Sequence, residues 1–307
     1  MIKRTAFLAI VVTYILIVFG GYVATSKSGM GCGPEWPLCN GKVIPNLQGE
    51  TLIEFTHRFI GLLLVILTAI LFIHIRRSNL DKSLQNAAMW MVSLLTIQVL
   101  AGAVIVILDL PTIVVTLHLI VAMLFILNLL WIFRRVHQNS RNAFLSSEKQ
   151  KNIIAHLNVL MLLVLFTIGL GAYIKHQHYG LACDWLDCRD TWLPLTVPEA
   201  LQSLHRIVAL ITAAYTIMLT VFAFSNNWGG RMKRRFLFAA FIVLIQIVIG
   251  VLTIMTNIST SWAVIHLATG TALFMVVADT RVIAGSIITK VNKDKWMNPN
   301  GQTMDKN

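Results

Sequence analysis

Apolar stretches near 20 residues long recur down this chain, separated by short polar or basic segments. Each is long enough to cross a hydrocarbon core of about 30 Å as an α-helix. The pattern predicts eight helices, over roughly 5–25, 54–75, 86–108, 112–133, 153–175, 201–224, 236–256 and 260–284. Turn chemistry marks the breaks, with Pro111 between the third and fourth helices and Asn226-Asn227-Trp228-Gly229-Gly230 between the sixth and seventh. The first stretch, from Thr5 to about Thr25, reads as a retained helix rather than a cleaved signal peptide, because it is long and no small-residue cleavage site closes a short apolar core. The expected fold is therefore an all-α integral membrane protein.

Composition agrees. Of 307 residues, 57% are hydrophobic and only 12% charged, with a mean hydropathy of +0.74. A soluble domain needs more charge to cover its surface. The net charge of +12 would suit nucleic acid, but its distribution does not. Nineteen of the 25 Lys and Arg residues fall at the chain start, in alternate connections and after the last helix. The other connections hold only Lys27, Lys42, Lys175 and Arg189, with most of the acids. This positive-inside pattern places both termini in the cytoplasm of a cell-membrane protein and turns the loops 26–53 and 176–200 outward.

The chain also repeats itself. Glu54-Phe55-Thr56-His57-Arg58 opens the second helix and Gln202-Ser203-Leu204-His205-Arg206 opens the sixth. Gln98 and Gly102 match Gln246 and Gly250, and His118 matches His266, all at an offset of 148 residues. Gly20-Gly21-Tyr22 resembles Gly169-Leu170-Gly171-Ala172-Tyr173 with a small register change. Two tandem four-helix bundles follow, and an even helix number makes them face the same way. They should be related by a pseudo-twofold axis along the membrane normal. The expected units are 1–145 and 146–290, followed by a polar tail at 291–307 that reads as disordered.

Ionisable groups inside a membrane span are costly and mark function. His57, His118, His205 and His266 each lie one or two turns into an outside-to-inside helix, so all four share one shallow depth. Two opposed imidazoles in a four-helix core can hold a b-type heme. Small residues four positions on, Gly61, Ala122, Ala209 and Gly270, leave room for a flat macrocycle on the same helix face. Arg58 and Arg206 could pair with heme propionates or snorkel to the headgroups. The other histidines, His74, His137 and His156 at the inner edge and His176 and His178 in the outer loop, fit ligation poorly. One asymmetry divides the halves: Glu54 stands three residues before His57, but Gln202 stands before His205. A carboxylate can carry protons and an amide cannot. The first half is thus the candidate for catalysis and the second for a bound cofactor. All four cysteines, Cys32, Cys39, Cys183 and Cys188, lie in the outward loops. One disulfide per loop is expected, either a structural staple or a redox-active, heme-handling pair.

Taken together, these residues resemble the heme A synthase family, which supports cytochrome oxidase assembly. The carriers are Gly20-Gly21-Tyr22-Val23, Thr25-Ser26-Lys27-Ser28-Gly29, the loop Cys32-Gly33-Pro34-Glu35-Trp36-Pro37-Leu38-Cys39, Glu54-x-x-His57-Arg58, Gln98-x-x-x-Gly102 and their second-half counterparts. Cysteine pairs in both outer loops resemble the Gram-positive type. The resemblance implies oxidation of the C8 methyl of heme O to a formyl group through a hydroxymethyl stage, giving heme A. It implies substrate heme on His57 and His118 near Arg58, catalysis by Glu54, and a heme b cofactor on His205 and His266 near Arg206. It also implies two partners, a heme O synthase that supplies substrate and a cytochrome oxidase that receives product. The short acidic loop Cys183-Asp184-Trp185-Leu186-Asp187-Cys188 departs most from the pattern. Two other classes share some of these features. A diheme electron-transfer cytochrome would carry the four histidines without the Glu54 asymmetry. A transporter built from duplicated bundles would want Gly or Pro interruptions at the midplane, and none is present.

Overall fold

The computed structural model of the chain describes residues 1–78, 80–136, 147–184, 188 and 194–294, with 147–149 and 286–294 described by backbone alone. Eight helices run through them: α1 (Ile2–Thr25), α2 (Gly49–Arg77), α3 (Lys82–Ile107), α4 (Thr112–Val136), α5 (Ser147–His176), α6 (Val197–Ser225), α7 (Gly230–Met255) and α8 (Thr260–Asp294). All eight contain spans long and apolar enough to cross a membrane. Among the described residues the only β pairing is an isolated bridge between Cys39 and Lys42. His137, Arg141, Arg189 and the expected tail from residue 295 lie outside the described residues.

Several helices extend past their apolar windows. Helix α2 starts at Gly49, α6 at Val197 and α7 at Gly230, and α8 continues to Asp294. Hydropathy locates the part of a helix that meets lipid, whereas capping fixes where the helix begins. Thr196 and Glu199 form a reciprocal capping box at the start of α6. Asp81 caps α3, accepting from the Leu84 amide at 2.8 Å, and is held from the far end of α4 by Arg135 at 2.7 Å.

Large apolar side chains point outward, among them Trp90 at 66% exposure and Leu162 at 61%. In water that surface would aggregate; in lipid it is the solvated face. Between helices, lipid removes the hydrophobic drive, so close packing of small residues takes over. Ala6, Ala9, Ala88 and Ala278 are buried at such contacts. At Gly21 of α1, a methyl group would come within 2.4 Å of Leu267 on α8.

Helices α1 to α4 form a ring of neighbours, α1 on α2, α2 on α3, α3 on α4 and α4 on α1. Helices α5 to α8 do the same. The two rings meet through α1 on α8, α4 on α5 and α4 on α8. Exchanging each helix for the one four places away leaves this set of neighbours unchanged.

The repeat reaches single backbone angles. Lys27 and His178 both sit at positive φ (59° and 57°), as do the pairs Asp109-Leu110 (57°, 59°) and Asn257-Ile258 (50°, 56°). Left-handed backbone is costly for Leu and more so for β-branched Ile. Here it turns the side chain into a notch in the disulfide loop. A methyl on Gly29 would lie 3.1 Å from Leu110, and one on Gly180 would lie 2.4 Å from Ile258. Both contacts pin the outer loop of a half to its own third and fourth, or seventh and eighth, helices.

Candidate functional site

The four histidines occupy matched places. His57 lies eight residues into α2 and His205 eight into α6, while His118 and His266 lie six into α4 and α8. At about 1.5 Å rise per residue these are depths of roughly 9–12 Å from the helix starts. Each ring rests against a glycine of the preceding odd helix. A methyl group at Gly20 would lie 3.1 Å from Cε1 of His57, at Gly102 3.4 Å from His118, at Gly171 2.9 Å from His205 and at Gly250 3.1 Å from His266. Each of these glycines stands five residues before the end of its helix. The register change between α1 and α5 is thereby explained. Gly20 matches Gly171 at an offset of 151, and the first outer loop then spends three more residues before α2.

The fold brings His57 and His118 within electrostatic reach of each other, and His205 and His266 likewise. All four are partly accessible. The Nδ1 atoms of His57, His118 and His205 are buried without a well-formed hydrogen bond, as is that of His74, although the backbone of Gln98 reaches His118 and that of Thr167 reaches His205. Such orphans are rare in native folds and call for an explanation, a bound group among them. His266 differs, with the Gln246 amide nitrogen 3.3 Å from its Nδ1 and donating to its own carbonyl at 3.0 Å. Phe19 stacks on His57, centroids 6.2 Å apart. Among the described residues no group of three or more His, Cys, Asp or Glu could hold a bare metal ion. Two imidazoles per half therefore suit a metal that brings its other ligands with it, as the iron of a macrocycle does. The small residues four positions on behave unequally. Space beside Gly61 is open, while the Gln246 amide fills that at Gly270, 3.2 Å from where a methyl would sit.

Glu54 is buried, 3% exposed. Its Oε2 accepts from the Cys32 amide at 2.8 Å, and its Oε1 accepts from Arg58 Nε at 3.1 Å and Nη2 at 2.5 Å. Arg58 Nη1 donates to the Leu38 carbonyl at 2.9 Å. Gln202 has the same job in the second half. Its Oε1 accepts from the Cys183 amide at 2.6 Å, and its Nε2 donates to the Gly180 carbonyl at 2.6 Å. Arg206 donates to the Cys183 carbonyl at 3.3 Å. Both residues thus anchor a disulfide loop over the histidine pair of their half. The cysteines are paired as Cys32–Cys39 and Cys183–Cys188.

The model of the cytochrome oxidase assembly protein family COX15-CtaA matches residues 3–278. The chain belongs to this family. The match takes in all four histidines, Glu54 and both disulfides. Among similar proteins, the heme A synthase of Bacillus licheniformis is 27% identical over 277 residues, covering 86% of this chain and 90% of the relative. That of Bacillus cereus AH187 is 28% identical, covering 85% and 86%. That of Staphylococcus saprophyticus is 28% identical, covering 90% and 93%.

In this family member the remaining described histidines, His74, His156, His176 and His178, stay apart from the two pairs. His156 bonds Tyr215 at 2.7 Å. His74 lies in the last turn of α2, at the opposite end from His57. His178 is exposed, as expected, but His176 is the last residue of α5 and only partly accessible. The sequence reading missed the glycine seats and the anchoring role shared by Glu54 and Gln202. The glycines had been visible only as marks of the repeat, since which ring a glycine supports depends on which helices are neighbours.

Proposed function

We propose that this chain is a heme A synthase, a multi-pass oxidoreductase of the cell membrane with both termini cytoplasmic. It takes heme O as substrate, oxidises its C8 methyl to a formyl group through a hydroxymethyl stage, and yields heme A for cytochrome oxidase. A heme O synthase supplies the substrate. The observation that carries this reading is the pairing of four glycine-seated histidines, two per half, in a chain similar over 86% and 90% of its length to two proteins named heme A synthase. Those names favour it over an electron-transfer cytochrome.

The exchange symmetry of the helix neighbours supports two units, 1–145 and 146–290, about a pseudo-twofold axis. His57 and His118 hold the substrate heme, and His205 and His266 hold heme b. When bound, heme b supplies one-electron redox chemistry beside the substrate. The protein's share is to fix the substrate ring, keep water out with the disulfide-closed loop, and move protons. Glu54 is the proposed proton carrier. Of about four lone-pair sites on its carboxylate, one is left for a proton beside the three hydrogen bonds it accepts. Arg58 holds two of them. A heme propionate is the anion best suited to draw Arg58 away, since the guanidinium fork fits either carboxylate. Arg206 is the propionate partner proposed for heme b.

Glu54→Gln tests the carrier. Gln202 already shows that an amide at this position can hold the loop cysteine's N–H, so the variant keeps the loop anchored. Heme content should stay at the wild-type level while formyl-heme production falls at least a hundredfold, the usual scale for a lost general acid–base group. Heme A made at the normal rate by this variant would remove Glu54 from the mechanism.

A further inference from the structure

The end of the bundle opposite the disulfide loops holds a cavity of about 590 Å³ that the heme chemistry does not use. It opens where the two halves meet, between α1, α4, α7 and α8. Arg134, Arg231, Arg234 and Arg235 line it, with one carboxylate, Asp279. Asp279 is 8% exposed and accepts from Arg134 Nη2 and from Arg235 Nη1, each at 2.6 Å. One carboxylate against four guanidiniums leaves the cavity at +3. Arg231 and Arg234 are exposed and make no ion pair among the described residues.

Toward the membrane interior the lining turns apolar. Phe238 lies one turn deeper than Arg234 on α7, Leu130 one turn deeper than Arg134 on α4, and Met275 one turn deeper than Asp279 on α8. The arrangement is a cationic mouth over an apolar wall. We propose that this cavity is a binding site for an anionic phospholipid, with the phosphodiester on Arg231 and Arg234 and an acyl chain along Phe238, Met275 and Phe7.

Charge and shape both favour that occupant. Guanidinium forks match phosphate oxygens bidentately, and basic pockets between transmembrane helices at headgroup level bind anionic lipids. Asp279 holds Arg134 and Arg235 as a fixed wall joining α4 to α7 and α8. The two guanidiniums beyond it are left for a ligand. The general excess of basic residues at this end does not account for the cluster. The positions 148 residues earlier, Ser83, Asn86 and Ala87, open the equivalent helix and carry no charge. There the basic residues are Arg76, Arg77 and Lys82, none of which lines this cavity.

The test uses the purified, delipidated full chain in neutral detergent, titrated with phosphatidylglycerol and with phosphatidylcholine of the same acyl chains, bound lipid being counted by native mass spectrometry. The wild-type chain should bind phosphatidylglycerol at least tenfold more tightly. Arg231→Ala/Arg234→Ala should bring both lipids to the same affinity, with an unchanged thermal unfolding midpoint. Arg76→Ala/Arg77→Ala should leave the preference intact, and millimolar inorganic phosphate should not displace the lipid. Equal affinity of the wild type for the two lipids, which needs no variant to measure, overturns the proposal. An equal loss in Arg76→Ala/Arg77→Ala also overturns it, by showing diffuse surface charge. Displacement by inorganic phosphate overturns it by showing a free-anion site. A preference that emerges only when residues 295–307 are deleted assigns the cavity to the chain's own tail, and overturns it too.

Discussion

A glycine inside a helix costs roughly 0.5–1 kcal/mol relative to alanine, so four of them at one depth need a reason. Here the reason is the ring each one supports. The available space is graded. A methyl at Gly171 would come 2.9 Å from His205, tighter than real contacts allow, whereas at Gly102 it would come 3.4 Å from His118, an ordinary contact. Helix propensity and ligand seating therefore oppose each other in a glycine-to-alanine change. Gly171→Ala should lower bound heme severalfold without lowering the thermal stability of heme-free protein, while Gly102→Ala should stay close to wild type. Heme per mole of purified chain reads this directly, and the reverse order would sink the seating argument. At this scale the sequence was half legible. The histidines stood out because charge-capable groups in lipid are conspicuous. Glu54 stood out because Gln202 replaces it. The glycines did not, because their partners sit on other helices and no spacing along the chain reveals the contact.

At the scale of elements, hydrophobic runs told the number and order of the helices, and polar residues decided their ends. Asp81 shows the mechanism. It caps α3 through the Leu84 amide and ties in the end of α4 through Arg135. Burial pushes its carboxyl upward, but the Leu84 amide, Arg135 and Ser83 outweigh that and hold it below the ordinary carboxylate value. A carboxyl so depressed stabilises the fold fully above its unfolded value and loses that contribution as pH falls through the folded one. Asp81→Ala should cost about 1 kcal/mol, the usual loss for an N-cap. The resulting drop in unfolding midpoint should be present at neutral pH and shrink below pH 4. A drop that persists unchanged in acid would assign the effect to packing instead. The outer turns were less legible. Nothing in the residue types of Leu110 or Ile258 announces positive φ, since both are poor left-handed residues. Only the notches at Gly29 and Gly180 explain why the chain accepts the strain.

For the whole molecule the central claim is a division of labour between two similar halves. Each half is a ring of four helices closed by a disulfide loop, and each loop is anchored by a residue one turn from a histidine. In the proposed division the chemistry differs where the anchor does. A carboxylate in the first half can take up and release a proton, and the amide in the second cannot. The internal repeat made the two rings of four helices readable from residue spacing alone. The inner cavity was not readable, because Asp279 lies 45 residues beyond Arg234 and 145 beyond Arg134, and only the meeting of the halves joins them. The division of labour is tested most directly by the hemes extracted from purified His205→Ala protein beside wild type. Wild type should yield heme B together with heme O and heme A. The variant should lose heme B and its low-spin spectrum while still retaining heme O. Heme B kept at the wild-type level by the variant, or heme B as the sole pigment of the wild type, would contradict the account.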